Sequence, residues 1–115
     1  MYNPSQNTND VQCILVLNNK LYSGSFDNTI RVWNTETNEC ETVLKGHTNW
    51  VQCLLVHNNK LYSGSQDETI RVWNTETNEC EDVLEGHTDY VTCLLVHNNK
   101  LYSGSQDKTI RVWKL

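Results

Sequence analysis

The sequence predicts an all-β fold of repeated four-stranded antiparallel sheets, and three observations support this. Positions 11–50 recur at 51–90 with 32 of 40 residues identical, and 91–115 repeats the first 25 positions with 21 identical to the second copy. Each copy consists of short β-branched and aliphatic runs separated by polar turns. No stretch shows the apolar spacing of three and four that a helix of ten residues needs. A 40-residue period made of strands indicates a stacked-sheet architecture, not a helical solenoid.

The strands of one unit can be followed in its second copy. A hairpin is predicted over 51–65, with Asn58 and Asn59 as a two-residue type I′ turn. The third strand is expected at 69–73 and the fourth at 80–84, on either side of a polar turn. One unit therefore contains four short antiparallel strands.

The first strand of each unit is apolar on both faces. Simple alternation places Val51, Cys53 and Leu55 on one side and Leu54 and Val56 on the other. Such a sheet must be covered on both faces, and radial stacking of sheets around an axis provides that cover. We therefore predict the blades of a β-propeller.

The motifs of the repeat resemble the signature of WD-repeat proteins. They are the Gly-His pairs at 46–47 and 86–87, the Ser-Gly-Ser-x-Asp segments and the Thr-Ile-Arg-Val-Trp strands, and the resemblance covers 11–115. The first unit departs from the pattern, since Asn7 stands where later units have His47 and His87. The family's final Trp-Asp pair also differs, and reads Trp33-Asn34, Trp73-Asn74 and Trp113-Lys114.

The resemblance implies a hydrogen-bonded tetrad of histidine, serine, aspartate and tryptophan in each unit. Repetition in register favours this structural role over a Ser-His-Asp catalytic triad, because buried polar groups need partners and one chain seldom needs several active sites. Ser63 and Ser65 lie on the same strand face, and we favour Ser63 because it is nearer Trp73. The expected tetrad residues are His47, Ser63, Asp67 and Trp73, then His87, Ser103, Asp107 and Trp113, and, without a histidine, Ser23, Asp27 and Trp33.

A candidate binding rim follows from the positions where the copies differ, most of which fall in or beside predicted loops. In the family, ligands commonly lie on the face formed by the loop after Gly-His and the turn holding the tetrad aspartate. Exposed aromatic residues there could anchor a peptide, whereas sequence drift at unconstrained loop positions is the alternative. Carried over by position, the rim comprises Asp10, Gln12, Phe26, Trp50, Gln52, Gln66, Tyr90, Thr92 and Gln106.

Composition narrows the classes of function. The net charge of −5 disfavours nucleic-acid binding, and no apolar run approaches the length of a membrane span. With no secretory signal at the start, we expect a cytoplasmic protein. The five cysteines follow the repeat period without CxxC pairing, which predicts free thiols and no metal site. We expect no cofactor and no enzymatic activity, because no unit carries a distinctive acid, base or nucleophile.

Three stacked blades would leave one apolar face uncovered at each end, which predicts assembly with copies of itself. The expected units are a segment at 1–10, blades at 11–50 and 51–90, and a partial blade at 91–115. Segment 1–10 is expected to supply the outer strand of a neighbour's last blade, although Pro4 fits only a sheet edge.

A head-to-tail ring would hold a multiple of three blades. A trimer is favoured over a dimer, because narrowing a ring overpacks its inner strands. Two functions remain open: a scaffold that binds proteins or peptides at its rim, and a structural or engineered repeat building block without a ligand.

Overall fold

The computed structural model describes residues 10–115, which form three antiparallel sheets. The first two sheets have four strands in sequence order, and the third has three. No helix in this described part of the chain is long and apolar enough to cross a membrane. The strands are β1 (Val11–Leu17), β2 (Lys20–Ser25), β3 (Ile30–Asn34), β4 (Cys40–Leu44), β5 (Val51–His57), β6 (Lys60–Ser65), β7 (Ile70–Asn74), β8 (Cys80–Leu84), β9 (Val91–His97), β10 (Lys100–Ser105) and β11 (Ile110–Lys114).

The β5–β6 hairpin turns as its asparagines dictate. Asn58 and Asn59 have φ values of 49° and 60°, so both central residues adopt the left-handed conformation of a type I′ turn. Asparagine tolerates this region better than most residues with a Cβ atom. The turn also sets the hairpin register, in which Leu55 lies opposite Tyr62. The predicted hairpin is therefore present, with the predicted turn.

A β-bulge at the start of each first strand corrects one expectation. The register shifts by one residue between Val51 and Cys53. Val51 therefore packs against the first sheet together with Leu54 and Val56, whereas Cys53 and Leu55 face the third sheet. The prediction that placed Val51 on the side of Cys53 and Leu55 was wrong, because the extra residue of a bulge reverses simple alternation.

Neighbouring sheets enclose two apolar cores that repeat each other at the 40-residue period. The first core combines Cys13, Leu15, Tyr22, Ile30, Val32 and Leu44 of the first sheet with Val51, Leu54, Val56, Leu61 and Trp73 of the second. The second core combines Cys53, Leu55, Tyr62, Ile70, Val72 and Leu84 with Val91, Leu94, Val96, Leu101 and Trp113. The second sheet, which has a neighbour on each side, therefore packs through both of its faces.

Adjacent sheets are in close contact at two glycines. A Cβ atom on Gly24 would lie 2.6 Å from Cγ1 of Val51, and one on Gly64 would lie 2.7 Å from Cγ1 of Val91. Both valines are fully buried. The valine side chains therefore occupy the space that any other residue at the glycine position would need.

Candidate functional site

In the second sheet the structure brings His47, Ser63, Asp67 and Trp73 together. His47 Nε2 lies 2.7 Å from Ser63 Oγ, and its Nδ1 lies 2.8 Å from Asp67 Oδ2. The indole Nε1 of Trp73 donates to the same Ser63 Oγ at 2.9 Å. With a neutral imidazole the network is satisfied when Nδ1–H donates to Asp67 and the Ser63 hydroxyl donates to Nε2. The loop before β5 is thereby tied to β6 and β7.

The third sheet has the same three contacts among the four equivalent residues. His87 lies 2.7 Å from Ser103 Oγ and 2.8 Å from Asp107 Oδ2, and Trp113 donates to Ser103 at 2.9 Å. This agreement shows that the arrangement is a property of the repeat and not of one loop.

The first sheet has the serine and tryptophan contact, with Trp33 Nε1 donating to Ser23 Oγ at 3.0 Å. Asp27 accepts hydrogen bonds from the backbone and hydroxyl of Thr29 and lies 3.8 Å from the guanidinium of Arg31. Asn7, at the position of the tetrad histidine, lies outside the described residues, as does nearly all of segment 1–10.

The tetrad aspartate is held ionised by its hydrogen bonds. Burial alone would raise the pKa of Asp67, but hydrogen bonds from His47 and Thr69 outweigh burial and hold this pKa well below its usual range. Thr69 donates through its backbone N–H and its hydroxyl, and the Thr48 N–H donates to the other carboxylate oxygen. Sequence reasoning missed the threonine, although an Asp-x-Thr spacing recurs in every unit.

Ser65, the other serine on this strand, holds the adjacent turn. Its Oγ accepts the backbone N–H of Asp67 at 3.0 Å and donates to the carbonyl of Asn49 at 3.1 Å. The two serines of the strand therefore have separate partners, and the tryptophan contact belongs to Ser63.

The tetrad lacks the access that nucleophilic catalysis requires. Ser63 is fully buried and its hydroxyl is engaged by both Trp73 and His47, so no substrate carbonyl can approach it. Among residues 10–115 there is also no group of three or more histidine, cysteine or acidic side chains placed to hold a metal ion. The geometry is that of a structural clamp.

The cysteines are free thiols. Burial raises the pKa of Cys13 to about 11 and that of Cys53 to about 12. Both thiols therefore stay protonated at neutral pH and pack as small apolar groups. Cys40, Cys80 and Cys93 are exposed.

The candidate rim contains an aromatic stack and an amide network where the first two sheets meet. The rings of Phe26 and Trp50 stack with centroids 3.7 Å apart and planes inclined by 13°. Trp50 remains 38% exposed. Beside this pair, Gln52 Oε1 accepts hydrogen bonds from Gln12 at 3.3 Å and Gln66 at 3.4 Å. The backbone N–H of Gln66 also donates to the carbonyl of Trp50, which links the two groups.

The other rim positions are fixed by backbone contacts. Thr92 stands where the earlier units have glutamine, and it donates to the carbonyl of Gly104 at 3.3 Å instead of joining an amide network. The carbonyl oxygens of Asp10, Trp50 and Tyr90 accept the N–H groups of Phe26, Gln66 and Gln106 respectively. The aromatic stack is therefore found at the first junction and is not repeated at the second.

Comparison with known proteins decides the family. The sequence profile of the WD domain, G-beta repeat, matches residues 3–34, 38–74 and 78–114. The chain belongs to the WD-repeat family. WD-repeat proteins generally act as non-enzymatic scaffolds and mediate protein interactions. The resemblance drawn from the Gly-His and Ile-Arg-Val-Trp motifs is confirmed.

Solved structures share the fold of this chain. The chain is 32% identical to the computationally designed proteins Ika8 and Ika4, each with a TM-score of 0.84 over 92% of this chain, which corresponds to 33% of Ika8 and 66% of Ika4. U3-55K superposes with a TM-score of 0.91 at 23% identity, over 97% of this chain and 38% of that one, and shows the fold.

A curated relative covers one repeat only. The Arabidopsis thaliana zinc finger CCCH domain-containing protein 59 is 47% identical over 38 residues, which is 33% of this chain and 8% of that protein. The chain thus spans a third to two thirds of the designed structures and a small part of this relative.

Proposed function

We propose that this chain is a non-enzymatic WD-repeat scaffold that assembles with copies of itself into a closed propeller. The supporting observation is that residues buried between sheets recur, exposed, on the two outermost sheets. Val11 is 44% exposed whereas Val51 is fully buried, and Ile110 is 73% exposed whereas Ile70 is 1% exposed. These side chains therefore meet solvent where no sheet of residues 10–115 lies against them.

The exposed side chains form a patch on each outer face rather than scattered sites. Burying one aliphatic side chain of this size stabilises by roughly 1.5–3 kcal/mol, so several on each face give a strong drive to associate. The first sheet exposes Val11, Ile14 and Val16, and the third exposes Leu95, Ile110 and Val112.

Light scattering on the purified 115-residue chain tests this proposal. We expect a mass of three times the 13.3 kDa chain, or else twice that mass, with the trimer favoured by the packing of inner strands. Circular dichroism would show that the sample is folded. A folded species of one chain mass at micromolar concentration would contradict the proposal.

Peptide binding at the rim is a second candidate function, supported by the exposed stack of Phe26 and Trp50. Aromatic residues held rigid on a surface are typical anchors for peptides. A displayed peptide library would be selected on the parent chain and on a variant carrying F26A, W50A and Y90A. Peptides captured by the parent alone support a binding rim. The absence of enriched peptides supports a building block without a ligand.

A further inference from the structure

We infer that the contact between copies is a third repetition of the chain's own internal junction, formed by the first sheet of one copy on the last sheet of the next. This inference rests on the proposed self-association, and it specifies which residues meet and in which direction. The proposed partner is another molecule of this chain. Its outer sheet carries, in the same register, the residues that form the internal junctions.

Each internal junction joins two different faces. We call the side that each sheet turns to the following sheet its trailing face, and the opposite side its leading face. On the second sheet, Tyr62, Ile70 and Val72 belong to the trailing face, and Val51 and Val56 belong to the leading face. A junction is always one trailing face against one leading face.

The two faces that pack against no other sheet of residues 10–115 are one of each kind. The last sheet exposes a trailing face, and the first sheet exposes a leading face. The trailing residues of the last sheet are Cys93, Leu95, Tyr102, Ile110 and Val112, and the leading residues of the first sheet are Val11, Ile14 and Val16. Apart from Ile14 in place of a leucine, these are the side chains found at the internal junctions.

The exposed trailing face carries a groove at the place where a valine sits in the internal junctions. It is apolar, with a volume of about 190 Å³, and its floor and walls include Cys93, Leu95, Tyr102, Gly104 and Ile110. Leu95 and Ile110 on its walls are strongly exposed. A side chain of a neighbouring copy can therefore enter it without displacing any part of the sheet.

Val11 is the side chain that fits this groove. In the internal junction, Val91 lies against Gly64, so close that a Cβ atom on the glycine would be 2.7 Å from the valine Cγ1. A Cβ atom on Gly104 would meet only Cys93 of its own strand pair. Val11, Val51 and Val91 occupy equivalent positions in the three units, 40 residues apart. Of these three valines, Val11 is the exposed one. We therefore place Val11 of one copy on Gly104 of the next.

The shapes of the two faces also set the polarity of the assembly. A leading face presents branched side chains and a trailing face presents the glycine groove, so two leading faces would place valine against valine with no space to receive either. Such a heterologous contact repeats in one direction and must either close into a ring or continue as a filament.

Two variants, each damaged on one face, test the inference. V16D places a charge on the leading face and V112D places one on the trailing face, at positions that are 62% and 55% exposed in the chain. We expect each variant alone to remain folded and to have one chain mass, because every junction it forms with itself contains the damaged face. A matched substitution in an exposed turn, T77D, should keep the parent mass.

Mixing the two variants gives the decisive result. The intact trailing face of V16D can join the intact leading face of V112D, so the mixture should give a 1:1 complex of two chain masses and nothing larger. Self-association of V112D alone would indicate contact between two leading faces and would overturn the inference. An associated parent whose mixed variants stay separate would also overturn it while leaving self-association standing. A monomeric parent would instead remove the proposed function itself.

Discussion

The buried hydroxyl of the tetrad serine Ser63 forms hydrogen bonds with two buried partners. S63A would leave His47 Nε2 and Trp73 Nε1 without that partner, at a cost of about 1–3 kcal/mol for each unsatisfied group. S23A removes the partner of Trp33, and no described histidine contacts Ser23. We therefore expect S63A to lower the free energy of unfolding more than S23A in urea titrations followed by tryptophan fluorescence. Equal losses would contradict the shared role of the hydroxyl.

A residue in the turn before β7 carries backbone strain that another unit avoids. Glu68 has a φ of 76°, whereas the first unit places Asn28 at the equivalent position with a φ of 73°. Because asparagine tolerates this region and glutamate does not, E68N should raise the free energy of unfolding by up to about 1 kcal/mol. E76N, at an exposed turn position whose own φ is not positive, is the matched control and should change it little. The shift in urea midpoint measures both.

The tetrad aspartate predicts how stability depends on acid. The pKa of Asp67 is lowered in the folded chain from an unfolded value of about 3.9, so its stabilising contribution is complete above about pH 4. As the pH falls further, the unfolded state takes up the proton first and the contribution is lost. D67N should therefore be less stable than the parent at neutral pH and lose less stability between pH 4 and pH 2. If the free energies of unfolding of D67N and the parent fell by the same amount between pH 4 and pH 2, this would contradict the role of the carboxylate.

At the scale of the elements, packing of one sheet on the next depends on the glycine of the second strand. A methyl group on Gly64 would lie 2.6 Å from the sulfur of Cys53 and 2.7 Å from Val91, both held by strands. Overpacking of this kind costs about 1–3 kcal/mol. The atoms nearest to a methyl group on Gly46 belong to the guanidinium group of Arg71, which can move. G64A should therefore lower the thermal midpoint of unfolding more than G46A. A larger decrease for G46A would contradict close packing of the sheets at Gly64.

For the whole molecule, proposed self-association links stability to concentration. Any partner that binds the folded chain and not the unfolded chain raises the melting temperature with concentration, and here the partner is another copy. We expect the melting temperature of the parent to rise over a hundredfold increase in chain concentration, measured by calorimetry. V112D should show no such rise. A constant parent melting temperature would mean that the outer faces remain solvated.

The amino-acid sequence by itself determined the repeat, the order of strands and the turns. These features depend on neighbours along the chain, such as Asn58 and Asn59 in a type I′ turn or the apolar run of β5, and local preference is sufficient to fix them. The tetrad was implied by the family resemblance, and the choice of Ser63 over Ser65 as the partner of Trp73 followed from their positions on adjacent strands. Thr69, which donates to Asp67, was also accessible from the sequence through the recurring Asp-x-Thr spacing, but it was not predicted.

The tertiary structure decided the features that depend on how separate sheets approach. The contact of Val51 with Gly24 and the stack of Phe26 on Trp50 join residues more than 20 positions apart. The bulge that turns Val51 toward the preceding sheet lies within one hairpin and recurs in every unit. Sequence alternation treats every strand as regular, and it contains no information on the distance between two packed faces. The contacts between sheets arise only when the sheets meet, because close packing depends on the shapes of both faces.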